Sequence, residues 1–441
     1  MNLIDYQGIL QDELVQLKEE GRDTEALEKM IAEAGALTDP EAAKRVAVKH
    51  YENMLSGNAP MRKADFRYIE PNDLESIQAE SAGREQSAAA RGPTGETLND
   101  KIYGAWLARS AGCLLGKPVE GWPREYIRSL LQQNGGYPLT HYFTGRYKPV
   151  GVENWMAEEY EQNAIELCKA MPRDDDMDYT ILALKTLETF GGEFTTENVG
   201  TMWLHNLPPL MTYTAERAAY LNLCAGIGVP QAAVYMNPYR EWIGAQIRTD
   251  LYGYVNPGNP AAAAAMAYRD AALSHTGNGV YGAMFIAAMN AAAFTESDIG
   301  SIIRAGMSVI PKRSRLYEAI EWVLMVHAEE PDWEKAGDRL HEKFGCYHRV
   351  HTINNAAIVA HALLYGEGDL ERTITIAVML GLDTDCNGAS AGSVIGAIAG
   401  AASLPEKWIK PLHDQIESYI AGEGVPHISK LASRTAKRVK A

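Results

Sequence analysis

The chain has 441 residues, with 57 acidic against 41 basic side chains and a formal net charge of -16. That balance argues against nucleic acid and anionic membrane as partners, since both select positive fields. Its five cysteines are scattered, no apolar run reaches the roughly eighteen residues of a membrane span, and the N-terminus lacks a basic-then-apolar leader, so a soluble cytoplasmic protein is expected.

In chain order, Leu10, Leu14 and Leu17 recur at helical spacing among Asp12, Glu13 and Glu19. Further helices are predicted over 25–36 and 40–54, with Pro40 suited to a helix start. Residues 56–98 are rich in Gly, Pro, Ser and polar side chains and read as a linker or a strap. No cofactor motif falls in this part, so 1–97 is expected to be a helical accessory region ahead of a main body at 98–441.

The main body starts with a helix over 98–112, whose Gly104, Ala108 and Gly112 share one face. It runs into Gly112-Cys-Leu-Leu-Gly116-Lys-Pro118-Val-Glu120, where Pro118 stops it. Glu120 then lies near a helix C-terminus, a poor place for a carboxylate without a task or a partner. Residues 123–172 are aromatic and turn-rich and read as an irregular insertion over a pocket. Next, Asp174-Asp175-Asp176-Met177-Asp178 leads directly into an apolar helical run. Acids capping a helix contribute about 0.3–1 kcal/mol each. Four carboxylates in five positions repel one another unless a cation offsets them, so metal binding stands beside capping as a reading.

Helices are predicted over 197–206 and 215–228, a loop over 250–260, and alanine-rich helices over 261–272 and 280–294. The corner between the last two, Ser274-His275-Thr276-Gly277-Asn278-Gly279, reads as a pocket wall. His275, Asn278 and Gly279 are its candidate contacts, and a buried core histidine is the alternative for His275. Helices follow over 296–307, 314–328, 333–343 and 356–365; His348 and His351 precede the last with only weak metal-ligand spacing.

Near the end, Gly381-Leu-Asp383-Thr384-Asp385-Cys386 opens a helix in which Gly388, Gly392, Gly396 and Gly400 share one face. Each glycine inside a helix costs roughly 0.5–1 kcal/mol relative to alanine, so a closely packed partner must offset that cost. Asp383 and Asp385 suit either a helix N-terminus or a hard cation. Alternating β patterns are scarce, so an all-α multi-helix bundle is expected, with distant carboxylate segments converging on one site.

Three of these segments, Gly112-x-x-x-Gly116-x-Pro118-x-Glu120, Asp174-Asp175-Asp176 and Gly381-x-Asp383-Thr384-Asp385, resemble the motifs of the ADP-ribosylglycohydrolase family in the same order. The resemblance implies an all-helical catalytic domain holding two divalent ions, Mg2+ or Mn2+. Asp175 and Asp176 match the metal-binding pair of the middle motif; Asp174 stands at its leading threonine and Met177 at its closing one. Asp383 and Asp385 match the aspartates of the last motif. Cys386 takes a hydroxyl position, and its soft thiol is the least suited of the set to a hard ion.

The resemblance therefore implies Asp174, Asp175, Asp176, Asp383 and Asp385 as metal ligands, with Cys386 beside them. It implies Glu120, Asp175 and Asp383 as catalytic groups. Gly116, Glu120, His275, Asn278 and Gly279 become substrate contacts, supported by Asp178 and Thr384. The implied reaction is hydrolysis of a ribosyl-type glycosidic bond, in an ADP-ribosylated protein or a small nucleoside or sugar conjugate. A ligand-binding relative without turnover and a metal-dependent phosphohydrolase are the alternatives.

Overall fold

A computed structural model describes residues 4–81 and 90–439. Among these residues the architecture is all-α, with no β pairing beyond isolated bridges such as Met171 with Ile416. No described helix is long and apolar enough to cross a membrane.

Helices Tyr6–Glu19, Glu25–Ala34 and Pro40–Leu55 gather Leu10, Leu17, Leu27, Ile31, Val46 and Tyr51 into a small core of their own, closed by Met236 from the main body. Asp5 and Asp39 accept backbone N–H bonds at two of their starts, and Pro40 occupies a first-turn position. Beneath this layer lies a buried ionic junction. Arg240 donates to Glu13 and Glu20, Tyr51 donates to Glu13 at 2.7 Å, and Gln16 donates to Glu241 at 2.9 Å.

Residues 69–72 form a strap across the body. Ile69 N–H bonds to the Arg313 carbonyl, Glu70 accepts from Arg315, and the Asn72 side chain accepts from Gly277 N–H at 2.8 Å. Residues 82–89, the middle of the stretch read as linker or strap, lie outside the described residues.

The centre of the main body is a pair of helices, Gly95–Gly116 and Thr384–Ala399, packed backbone to backbone. A methyl group at Gly112 would fall 1.9 Å from the Gly388 carbonyl oxygen; one at Gly392 would fall 2.3 Å from that of Ala108, and one at Gly396 2.2 Å from that of Gly104. The glycine face thus finds its partner in the small-residue face of the first motif, and this contact offsets the glycine cost. Thr384 Oγ1 fixes the register by donating to the Gly116 carbonyl at 2.8 Å.

Three stretches differ from the sequence reading. The 250–260 segment includes a buried turn of helix, Asp250–Tyr254, and the helix expected from 356 starts at Thr352, with His351 as its N-cap. The supposedly irregular 123–172 stretch contains helices Arg124–Gln133 and Asn154–Gln162. Their dense charge and aromatic content obscures the helical period.

Candidate active site

Two loops carry the first and last motifs to the same place. Gly121 N–H bonds to the Leu382 carbonyl at 2.8 Å, and Leu382 N–H to the Trp122 carbonyl at 3.3 Å. Leu382 sits at φ 64, rare for a bulky side chain, just ahead of Asp383. These bonds and the helix pair behind them hold Glu120 and Asp383 on one cavity of about 380 Å³. Lys117, Asp174, Asp175, Asp385 and Cys386 also line it. A larger cavity of about 1010 Å³ lies elsewhere, between residues 90–95 and 255–269. The chemistry lies in the smaller one, because the buried carboxylates converge there.

Capping and metal binding now separate residue by residue. Asp174 caps the Asp175–Phe190 helix through a 3.0 Å bond from Asp176 N–H, and its other oxygen accepts from Lys117 Nζ at 2.6 Å. Asp383 stands at the N-cap of the glycine-faced helix but makes no side-chain cap bond. Asp176 Oδ2, Asp383 Oδ1 and Asp385 Oδ1 are buried without a hydrogen-bond partner. Orphaned buried carboxylate oxygens are costly, and a hard divalent cation among them would supply what they lack. Cys113, Asp174, Asp176 and Asp385 present ligand atoms within 4.8 Å of one another, as do Asp383, Asp385 and Cys386. These clusters could chelate a divalent metal ion.

The electrostatics agree. Burial, then the charge of Asp383, pushes Glu120 well above the usual carboxylate range; burial, then Glu120 and Asp174, does the same to Asp385. Asp176 is raised by burial and by Asp174, with Arg109 opposing, and Asp175 is pushed up to about 7 by burial and Asp174. Only Asp174 is held low: burial works against it, and Lys117 outweighs that. Fully buried Arg109 underpins the site, donating to the Asp176 carbonyl at 2.9 Å and facing Asp250 at 3.1 Å. The Cys386 thiol is pushed up by burial and by Asp176, which favours the protonated, weakly ligating form.

The remaining expected residues fall elsewhere or do other work. Asp178 is fully engaged, by Arg173 Nε at 2.8 Å, Ser418 Oγ at 2.6 Å and Tyr419 N–H at 3.1 Å, and it anchors the C-terminal segment. Gly116 serves close approach, since a methyl there would lie 2.2 Å from the Thr384 carbonyl. His275, Asn278 and Gly279 are buried outside the cavity. His275 bonds Ser274, Asn278 donates to Glu70 and Glu241, and Gly279 packs on the Arg240 carbonyl. His348 and His351 do not pair on a metal. His348 stacks on Trp242 with centroids 4.1 Å apart, and His351 lies buried 3.5 Å from Glu19.

Sequence reasoning assigned no site role to the cavity rim. Trp155 lies under Arg349 (5.8 Å to the ring centroid), Tyr213 lies 5.9 Å from the Arg173 guanidinium, and Trp242 and Glu216 complete the wall. The floor is acidic, and the rim is aromatic and cationic.

Comparison with known families matches residues 94–440 to the ADP-ribosylglycohydrolase family. Comparison with curated proteins gives no match. Among solved structures, one described as an ADP-ribosylglycohydrolase-related protein complex superposes with a TM-score of 0.50 at 19% identity, covering 78% of this chain and 100% of that one, a likeness of fold.

Proposed function

The chain belongs to the ADP-ribosylglycohydrolase family, and on that footing we propose that it hydrolyses a ribosyl-type glycosidic bond with the help of a divalent cation. The observation that carries this reading is the pair of unpartnered buried carboxylate oxygens on Asp383 and Asp385 beside Glu120 at an accessible cavity, with a third, on Asp176, in a ligand cluster that shares Asp385. Asp175 lines the cavity wall beside them.

A bound Mg2+ or Mn2+ would lower the pKa of a coordinated water towards neutrality and supply a nucleophile. The chain's own groups do the rest. Asp383 and Asp385 orient ring hydroxyls and, with Asp175, face the positive charge that develops on a ribosyl ring as the glycosidic bond breaks. Glu120 stands where it can pass a proton between water and the leaving group. Trp155 and Trp242, packed with Arg349 and His348, put aromatic surface on the rim beside a base or other aglycone, and Arg349 suits an anionic portion such as a pyrophosphate. The rim thus favours a conjugate with an aromatic or anionic leaving side, whether a small molecule or an ADP-ribosylated protein, acted on in the cytoplasm.

The test is a sugar-release assay over ADP-ribosylated peptide, ADP-ribose conjugates and simple nucleosides, with product identified by mass spectrometry. Release of a free ribosyl product that Glu120→Gln abolishes supports the proposal. Absence of release from every member of that panel would contradict it.

A further inference from the structure

The family resemblance carries two divalent ions, yet the site already contains a cation of its own. Lys117 extends from the end of the Gly95–Gly116 helix, with its side chain only 15% exposed, and puts its Nζ 2.6 Å from Asp174 Oδ2. By the resemblance, Asp174 stands where the middle motif has threonine, and the Lys117 ammonium neutralises this extra carboxylate. Both Asp174 oxygens are engaged, one by Lys117 and the other by Asp176 N–H.

That engagement separates the two possible ligand clusters. In the cluster of Cys113, Asp174, Asp176 and Asp385, Asp174 is occupied and Cys113 is a soft thiol within the apolar core. Only Asp176 Oδ2 and Asp385 Oδ1 remain unpartnered there. In the other cluster, Asp383 Oδ1 and Asp385 Oδ1 are both unpartnered. The free oxygens of Asp383 and Asp385 therefore outline one cation position, next to a cluster in which Asp174 is already held by an ammonium. Arg109 does not fill that role. It pairs with Asp176 Oδ1 at 3.2 Å and also serves the Asp176 carbonyl, Thr180 and Asp250, leaving Asp176 Oδ2 without a partner.

We infer that Lys117 takes the place of one of the two divalent ions, so that the chain binds a single hard divalent cation beside a built-in ammonium. The inference rests on the metal-dependent reading of the site and refines it. A tethered ammonium offers positive charge and hydrogen bonds but no coordination position for water. Lys117 is thus a positioning residue, holding Asp174 and turning it away from the metal.

The experiment is Mn2+ binding to chelator-treated full-length protein, read by isothermal titration and by electron paramagnetic resonance. Wild type should take one Mn2+ per chain, with the spectrum of an isolated ion. Lys117→Met should take two, with the exchange-coupled spectrum of a pair. If that variant fails to fold, Lys117→Met/Asp174→Thr removes both charges of the pair and should also take two. Two coupled ions in wild type would overturn the inference while leaving a metal-dependent enzyme. One ion in the folded variants would also overturn it. No binding to wild type would overturn the metal-dependent reading itself.

Discussion

Gly112→Ala probes the contact that sets the site's geometry. The added methyl would lie 1.9 Å from the Gly388 carbonyl oxygen and 2.4 Å from its carbon, against the roughly 3.5 Å or more of ordinary carbon contacts. Both obstructing atoms are backbone in a buried helix, so neither can rotate away, and the helices must separate by an ångström or more. Overpacking costs about 1–3 kcal/mol, and a clash with fixed backbone belongs at the upper end; the better helix propensity of alanine returns roughly 0.5–1 kcal/mol, for a net loss of about 2 kcal/mol. Gly300→Ala is the control, because the nearest atom to its methyl is the movable Arg304 Nη2 at 3.0 Å. It should be neutral or slightly stabilising. Urea unfolding of both variants measures the difference, and Mn2+ affinity of Gly112→Ala should also fall as Asp383 and Asp385 shift from Glu120. A Gly112→Ala protein as stable as wild type would refute the backbone-contact argument.

Two further perturbations separate electrostatic cost from function. Without metal, Asp385→Asn should raise the melting temperature, because it removes a buried charge that faces Glu120 and Asp174. The same variant should lose the stabilisation that divalent ion gives wild type, about 2.7 kcal/mol at a hundredfold excess over Kd; an unchanged metal-induced shift would remove Asp385 from the ligand set. At the N-terminal junction, burial and the charge of Glu241 push Glu19 up to about 8 from an ordinary 4.5. The folded chain then keeps a proton that the unfolded chain releases, so this group makes stability fall as pH rises from about 4.5 to about 8 and level off above. Glu19→Gln should flatten the melting profile across that window, and a profile as steep as that of wild type would show that Glu19 titrates normally.

Much of the site was legible because its parts are local. Asp174 to Asp176, Asp383 and Asp385, and Glu120 each lie in a short segment whose chemistry is visible without a partner, and the four-residue glycine spacing announced a close helix contact. What could not be read were pairings across distance. Nothing near Lys117 reveals that it meets Asp174, and Trp242, His348, Arg173 and Arg349 come from stretches without periodicity. The Ser274–Gly279 corner shows the opposite difficulty. Its polar groups suggested a pocket wall, but Asn278 is consumed by Glu70 and Glu241, partners 208 and 37 residues away. Local chemistry identifies groups that need a partner; only the fold shows whether that partner is a protein side chain.

The central claim is that Asp383 and Asp385, with Asp176 alongside, build a divalent-cation site that acts on a ribosyl bond. Its most direct measurement is turnover of the best substrate from the release panel, before and after exhaustive chelation and on return of Mn2+ or Mg2+, in wild type and Asp383→Asn. The account predicts that chelation abolishes wild-type turnover, that the ion restores it, and that Asp383→Asn stays inactive in both conditions while keeping its helical circular dichroism. Full turnover in chelator, or by folded Asp383→Asn, would contradict it.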